Sequence, residues 1–100
     1  MADGIQLARV AAAAALATEG IHSLGTGRYA EAATYDVGEK VSGVVVTPEE
    51  VEIHVVARYP LVRPIPELAE SLRERVSPEA GGRKTNVVVE DLEVAADENL

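Results

Sequence analysis

Histidine is the side chain that most readily does acid–base or metal chemistry near neutral pH. This sequence has two, His22 and His54, and no cysteine. Neither histidine has a Cys, His or Asp close by at the spacing that zinc ligands need. We therefore expect no metal site and no cofactor, and we interpret both imidazoles as solvated or locally hydrogen-bonded.

Serine and paired carboxylates could also do chemistry. The serines are Ser23, Ser42, Ser71 and Ser77. None lies in the Gly-x-Ser-x-Gly context of a nucleophile elbow. The acidic pairs are Glu49-Glu50, Glu90-Asp91 and Asp97-Glu98. Acid–base catalysis would need such carboxylates to converge in a cleft, whereas these lie in a predicted turn, at a strand end and in a tail. We expect no catalytic residues and a protein that is not an enzyme.

Charged side chains on the surface could also recognise a partner. Most of the positive charge is on Arg58, Arg63, Arg73, Arg75, Arg83 and Lys84. Of these, Arg58, Arg63 and the pair Arg83-Lys84 are expected near one end of the sheet, where they could form a docking patch for an acidic partner or lipid head groups. The alternative is ordinary surface balance, since exposed charges contribute little.

Length and composition set the class of protein. One hundred residues make about one domain. There is no Phe, Trp or Cys, and the aromatic residues are three tyrosines, so the core must be aliphatic. A net charge of −8 repels phosphate backbones, and we expect no nucleic-acid binding. No signal peptide is recognisable, and the apolar run 10–17 is too short to span a bilayer, so we expect no direct membrane insertion.

The first 35 residues predict one helix followed by little regular structure. Residues 3–18 favour a helix capped by Asp3. Its apolar side would be Ile5, Ala8, Ala12, Ala15 and Leu16. Three glycines in 20–27 predict a loop with Ile21 and Leu24 as apolar anchors. Segment 28–35 is ambiguous between helix and strand, and its short length favours a short or edge strand.

The second half predicts a β-β-α-β pattern. Strands over 41–47 and 51–59 meet at a turn, Thr47-Pro48-Glu49-Glu50. In the second strand odd positions face the core, whereas Glu52, His54, Val56 and Arg58 share the other face. A helix follows from about Pro66, with apolar residues at Ile65, Leu68, Ala69, Leu72 and Val76. Strand 85–94 closes the pattern, and Leu92 and Val94 have the parity of Val88.

These elements predict an α+β fold. We expect a two-layer sandwich with an N-terminal helix and then a β-β-β-α-β arrangement, both helices packing on one face of a small mixed sheet. We expect residues 1–100 to form a single domain with its core over about 5–94 and a frayed acidic tail over 95–100. An unprotected sheet edge could pair with a second copy of the chain.

The order of the motifs resembles the alkaline shock protein family of envelope stress-response proteins. The resemblance is carried by the alanine-rich first helix, Gly20-Ile21-His22-Ser23-Leu24-Gly25, Val41-Ser42-Gly43-Val44-Val45-Val46, the strand ending at Tyr59, Ile65-Pro66-Glu67-Leu68-Ala69, and Thr85-Asn86-Val87-Val88-Val89-Glu90-Asp91-Leu92. It covers nearly the whole chain and offers no catalytic residues to carry over.

The resemblance implies a non-enzymatic, cytoplasmic protein of Gram-positive bacteria, peripheral at the inner face of the cell membrane. Such a protein would act through self-association, as a homo-oligomer, or by docking to a membrane-anchored partner. We take Glu52, His54, Arg58 and Arg63 as the candidate interaction surface. The alternative is a KH-like module that binds nucleic acid or a small ligand, although the KH Gly-x-x-Gly clamp with its basic flanks is missing.

Overall fold

The α+β class is confirmed by a computed structural model, which describes residues 4–27 and 32–94. The elements are α1 (Gly4–Ala17), β1 (Ile21–Leu24), β2 (Ala33–Asp36), β3 (Glu39–Ser42), β4 (Val44–Val46), β5 (Glu50–Tyr59), α2 (Ile65–Val76), a 3₁₀ turn (Ser77–Glu79) and β6 (Lys84–Val94). The described ranges thus hold six strands where the sequence predicted four. The expected cap Asp3, the first part of the ambiguous segment 28–35 and the tail 95–100 lie outside them.

β5 is the centre of the main sheet. On one side β4 pairs with its first half and β1 with its second half, both antiparallel. On the other side β6 runs parallel to it along its whole length. Parallel neighbours need a crossover connection, and α2 supplies it. The sheet is therefore mixed and effectively three strands wide.

The prediction of a single strand over 41–47 is wrong, because Gly43 separates β3 from β4. That residue has φ +91°, and a Cβ there would lie 2.8 Å from the carbonyl oxygen of Gly25. β3 consequently pairs with β2 in a separate two-stranded sheet, and only β4 joins the main one. The loop predicted over 20–27 is also partly wrong, since β1 lies inside it.

The β2–β3 hairpin is inserted between β1 and β4 and is fastened to the edge of β4. The Thr34 hydroxyl donates to the carbonyl oxygen of Val44 at 2.6 Å and accepts from the amide of Val46 at 3.2 Å. It thus occupies backbone groups that a neighbouring strand would otherwise pair. An ion pair between Arg9 and Glu39 joins the hairpin to α1.

The core lies between the two helices and one face of the sheet. Ala8, Ala11 and Ala15 of α1 are 0% exposed, and their small side chains let the helix approach the strands closely. Leu68, Leu72 and Val76 of α2 recur at a spacing of four and are equally buried. The predicted face of α1 was wrong at Leu16, which is 57% exposed, whereas Ala12 is half-buried and packs against the core.

A β-bulge in β6 changes which side chains face the core. Val55 pairs with Val89, but the next residue, Val56, pairs with Asp91, so Glu90 is the extra residue. Beyond it Leu92 pairs with Ala57 on the core side. The predicted shared parity of Leu92 and Val88 was wrong because a bulge inserts one residue and reverses the alternation.

Candidate interaction surface

The face of the sheet opposite the helices carries three of the four residues expected at an interaction surface. Along β5, Glu52 and His54 are half-buried and Arg58 is exposed, while the alternating Val51, Ile53, Val55 and Ala57 are 0% exposed. We call this the outer face. It is the side that neither described helix covers.

Arg63 does not belong to the outer face. It lies in the connection between β5 and α2, half-buried, and it makes no hydrogen bond or ion pair in the part of the chain that the structure describes. Arg58 is aligned with Glu93 of β6, which places opposite charges on neighbouring strands. Lys84 is aligned with Glu50 at the other end of β5, so the expected grouping of these basic residues at one end of the sheet was wrong. Three of the four predicted residues therefore share the outer face, and Arg63 lies apart from it.

The imidazole of His54 lies between two carboxylates. Its Nδ1 is 3.0 Å from Glu90 Oε2, and its Nε2 is 3.2 Å from Glu52 Oε1. The side chains of His54 and Glu90 are each 13% exposed, and that of Glu52 is 38% exposed. A carboxylate only accepts hydrogen bonds, so the imidazolium form donates to both neighbours and a neutral ring to one.

Glu90 also holds the loop that follows β1. Its carboxylate accepts from the amide of Thr26 at 3.1 Å and from that of Gly27 at 3.2 Å. The loop comes this close because residue 25 is glycine: a Cβ there would lie 2.3 Å from Glu90 Oε1. Glu90 thus links β6, β5 and the loop through one side chain.

Sequence reasoning missed Glu90. The pair Glu90-Asp91 was interpreted as a solvated strand end, but only Asp91 is exposed. One signal was present, since Glu90 directly follows the apolar run Val87-Val88-Val89 within a predicted strand. Its pairing with the loop after β1 depends on a contact 63 residues away along the chain, which spacing alone does not reveal.

The arrangement does not build a metal or hydrolytic centre from these groups. The imidazole ring separates Glu52 from Glu90, so the two carboxylates face different nitrogens instead of one common point. Within residues 4–27 and 32–94 no three Cys, His, Asp or Glu side chains are grouped so as to hold an ion. The chemistry that the outer face offers is charge, hydrogen bonding and half-buried valine.

The second open surface is the outer edge of β6. This strand has eleven residues and pairs with β5 only, among the strands that the structure describes. Val87, Val88 and Val89 at its middle are half-buried. Such an edge presents backbone amides and carbonyls that another strand can pair.

Exposed apolar side chains gather at the end of the sheet where β5 and β6 finish. Tyr59 is 49% exposed and is aligned with Val94, which is 66% exposed; Leu92 is 41% exposed. A second exposed apolar pair, Tyr35 and Val37, lies at the tip of the β2–β3 hairpin, where Val37 is 96% exposed. Single exposed apolar residues are ordinary, but the first group is contiguous with the edge of β6.

Comparisons of the chain with family models, with curated proteins and with solved structures found no match. Neither helix in the described ranges has the length and hydropathy of a membrane-spanning segment.

Proposed function

We propose that this chain is a non-enzymatic interaction protein that works by self-association or by docking to a membrane-anchored partner. This is the function that the resemblance to the alkaline shock protein family implies, with a place at the inner face of the cell membrane and a role in envelope stress. The function would then depend on contact surfaces of the protein rather than on a cleft.

One observation carries the proposal: both helices cover the same face of the sheet. The core side chains of α1, α2 and β5 meet on that face. Apart from the loop that Glu90 contacts through Thr26 and Gly27, the outer face and the outer edge of β6 carry no covering helix or strand in the described residues. A sheet that is open on one face and along one edge has the surfaces that strand addition and face-to-face docking use.

A nucleic-acid module is the less favoured reading. The outer face presents Glu52 and Glu90, and the exposed Asp91 and Glu93 follow on β6. These carboxylates, with a net charge of −8, oppose the approach of a phosphate backbone. The observation that would reverse this preference is a shift of RNA mobility at physiological salt.

Light scattering over a range of concentrations, together with fractionation of membranes from the native cells, tests the proposal. We expect oligomers, or recovery of the chain with the membrane fraction. Arg58→Glu should reduce either signal because it puts a negative charge where the outer face has a positive one, whereas Arg75→Glu, an exposed arginine on α2, is the matched control and should not. A protein that is monomeric at every concentration and absent from membranes contradicts the proposal.

A further inference from the structure

We propose that two copies of this chain pair antiparallel along the outer edges of their β6 strands, about a two-fold axis at Val88. The inference rests on the proposed function, because self-association is one of its two forms. It adds the surface, the register and the partner, which is a second copy of the same chain.

The direction of the backbone groups along β6 defines the pairing edge. The amide of Lys84 donates to the carbonyl of Glu49 at 2.9 Å, so Lys84 turns its backbone groups toward β5. Backbone direction alternates along a strand, and Asn86 and Val88 therefore face β5 as well. Thr85, Val87 and Val89 turn theirs outward. The Nε of Arg73 donates to the carbonyl of Thr85 at 3.2 Å, which confirms that this carbonyl faces away from β5.

Arg73 also limits the edge that is open. Its side chain donates a hydrogen bond to the Thr85 carbonyl, and the bulge at Glu90 ends the regular strand at the other end of this stretch. Between these points lie Asn86, Val87, Val88 and Val89, with no proline, bulge or charged side chain to block them. Those are the features by which natural edges are usually protected, so the middle of β6 is the accessible part.

Two-fold symmetry and the bulge together select the register. In an antiparallel pair, residues directly opposite point to the same face, and the outward-facing backbones must oppose each other. An axis at Val88 places Val87 opposite Val89 of the second copy, and the reverse. Each such pair exchanges two backbone hydrogen bonds, or about four for the dimer.

Charge complementarity supports the same register. The bulge lets Glu90 and Asp91 share one position, so Lys84 falls opposite Glu93 of the second copy, and Asn86 falls opposite Asp91. Lys84 and Glu93 are aligned with Glu50 and Arg58 of β5 and lie on the outer face, as a directly opposed pair must. Just beyond the hydrogen-bonded stretch 86–89, each end of the interface would hold one lysine–glutamate pair, whereas parallel pairing would put like charges together.

A proline at position 87 tests the edge. Val87→Pro removes an amide that faces outward and spares the bonds to β5, while Val87→Ala trims the same side chain and keeps the amide. We expect Val87→Pro to abolish the dimer in sedimentation equilibrium and Val87→Ala to retain it, with circular dichroism showing both folded. A folded Val87→Pro variant that dimerises as the wild type does overturns the inference.

Charge reversal tests the register without altering the backbone. Lys84→Glu places two glutamates at each end of the interface, and Glu93→Lys places two lysines there. Each variant alone should dimerise on the order of tenfold more weakly, given the energies of cross-strand charge pairs. An equimolar mixture should recover wild-type affinity, because both ends of the mixed dimer then join opposite charges.

The outcomes separate this inference from the proposed function. If the single variants are weakened and their mixture recovers, the register is supported. If all of them oligomerise as the wild type does, the edge pairing is wrong, while self-association through another surface stands. If the wild type is monomeric at every concentration, the pairing is wrong as well, and recovery with membranes alone then decides whether the docking form of the proposed function survives.

Discussion

Glu90 and His54 are joined across the two parallel strands of the sheet by a contact of 3.0 Å between Oε2 and Nδ1. The same carboxylate accepts the amides of Thr26 and Gly27. One half-buried side chain therefore connects the bulge in β6, the middle of β5 and the loop after β1. Its effect on stability should exceed that of an ordinary surface glutamate.

Glu90→Gln should lower the free energy of unfolding by about 1–3 kcal/mol, the cost of losing charge-assisted bonds to part-buried donors. Urea denaturation measures it, and hydrogen exchange should show faster exchange of the Thr26 and Gly27 amides. Asp91→Asn is the matched control, because Asp91 is exposed and, within the described residues, accepts only from the neighbouring amide of Leu92. If both variants lose the same stability, Glu90 does not have the role described.

Gly25→Ala should destabilise the protein through a steric clash with Glu90, since the new Cβ would lie 2.3 Å from Oε1. We expect a loss of about 1–3 kcal/mol. A double-mutant cycle with Glu90→Ala isolates the cause, because removing the carboxylate leaves room for the methyl group. Gly25→Ala should then cost little in the Glu90→Ala background. An equal cost in both backgrounds would assign the effect to the backbone instead.

Thr85→Val should raise the free energy of unfolding by about 1 kcal/mol. Thr85 is 6% exposed, and its hydroxyl has no hydrogen-bond partner among the described residues. A buried hydroxyl without a partner costs free energy that a methyl group of similar shape does not. Thermal and urea unfolding of the variant measure the gain.

Thr34→Val is the control for that prediction, because it makes the same chemical change where the hydroxyl is fully used. Its Oγ1 serves both Val44 and Val46 at the edge of β4. We expect a loss of about 1–3 kcal/mol. The two substitutions should therefore change the free energy of unfolding in opposite directions. A loss of stability at both positions would show that the Thr85 hydroxyl has a hydrogen-bond partner.

Local periodicity predicted the elements whose side chains alternate without interruption. β5 and α2 were found because their buried positions recur at two and at about four residues, from Val51 to Ala57 and from Leu68 to Val76. The break at Gly43 and the bulge at Glu90 were missed, since both depend on contacts distant in sequence: Gly25 against Gly43, and the loop after β1 against Glu90. Three of the four predicted surface residues share one face because they follow the alternation of β5, whereas Arg63 lies within the proline-rich connection between β5 and α2.

Gly43→Ala should be the most damaging of the glycine substitutions, with a loss of about 3 kcal/mol or more. Gly43 has φ +91°, and a Cβ would lie 2.8 Å from both the Gly25 carbonyl oxygen and the Leu24 side chain. Gly38→Ala separates the two causes, because Gly38 also has a positive φ of +73° but open space around it. Backbone strain alone costs about 1–2 kcal/mol. Urea unfolding should therefore give Gly43→Ala a clearly lower free energy of unfolding than Gly38→Ala. Equal losses would mean that the close approach of Gly25 and Gly43 does not stabilise the edge that β1 and β4 form beside β5.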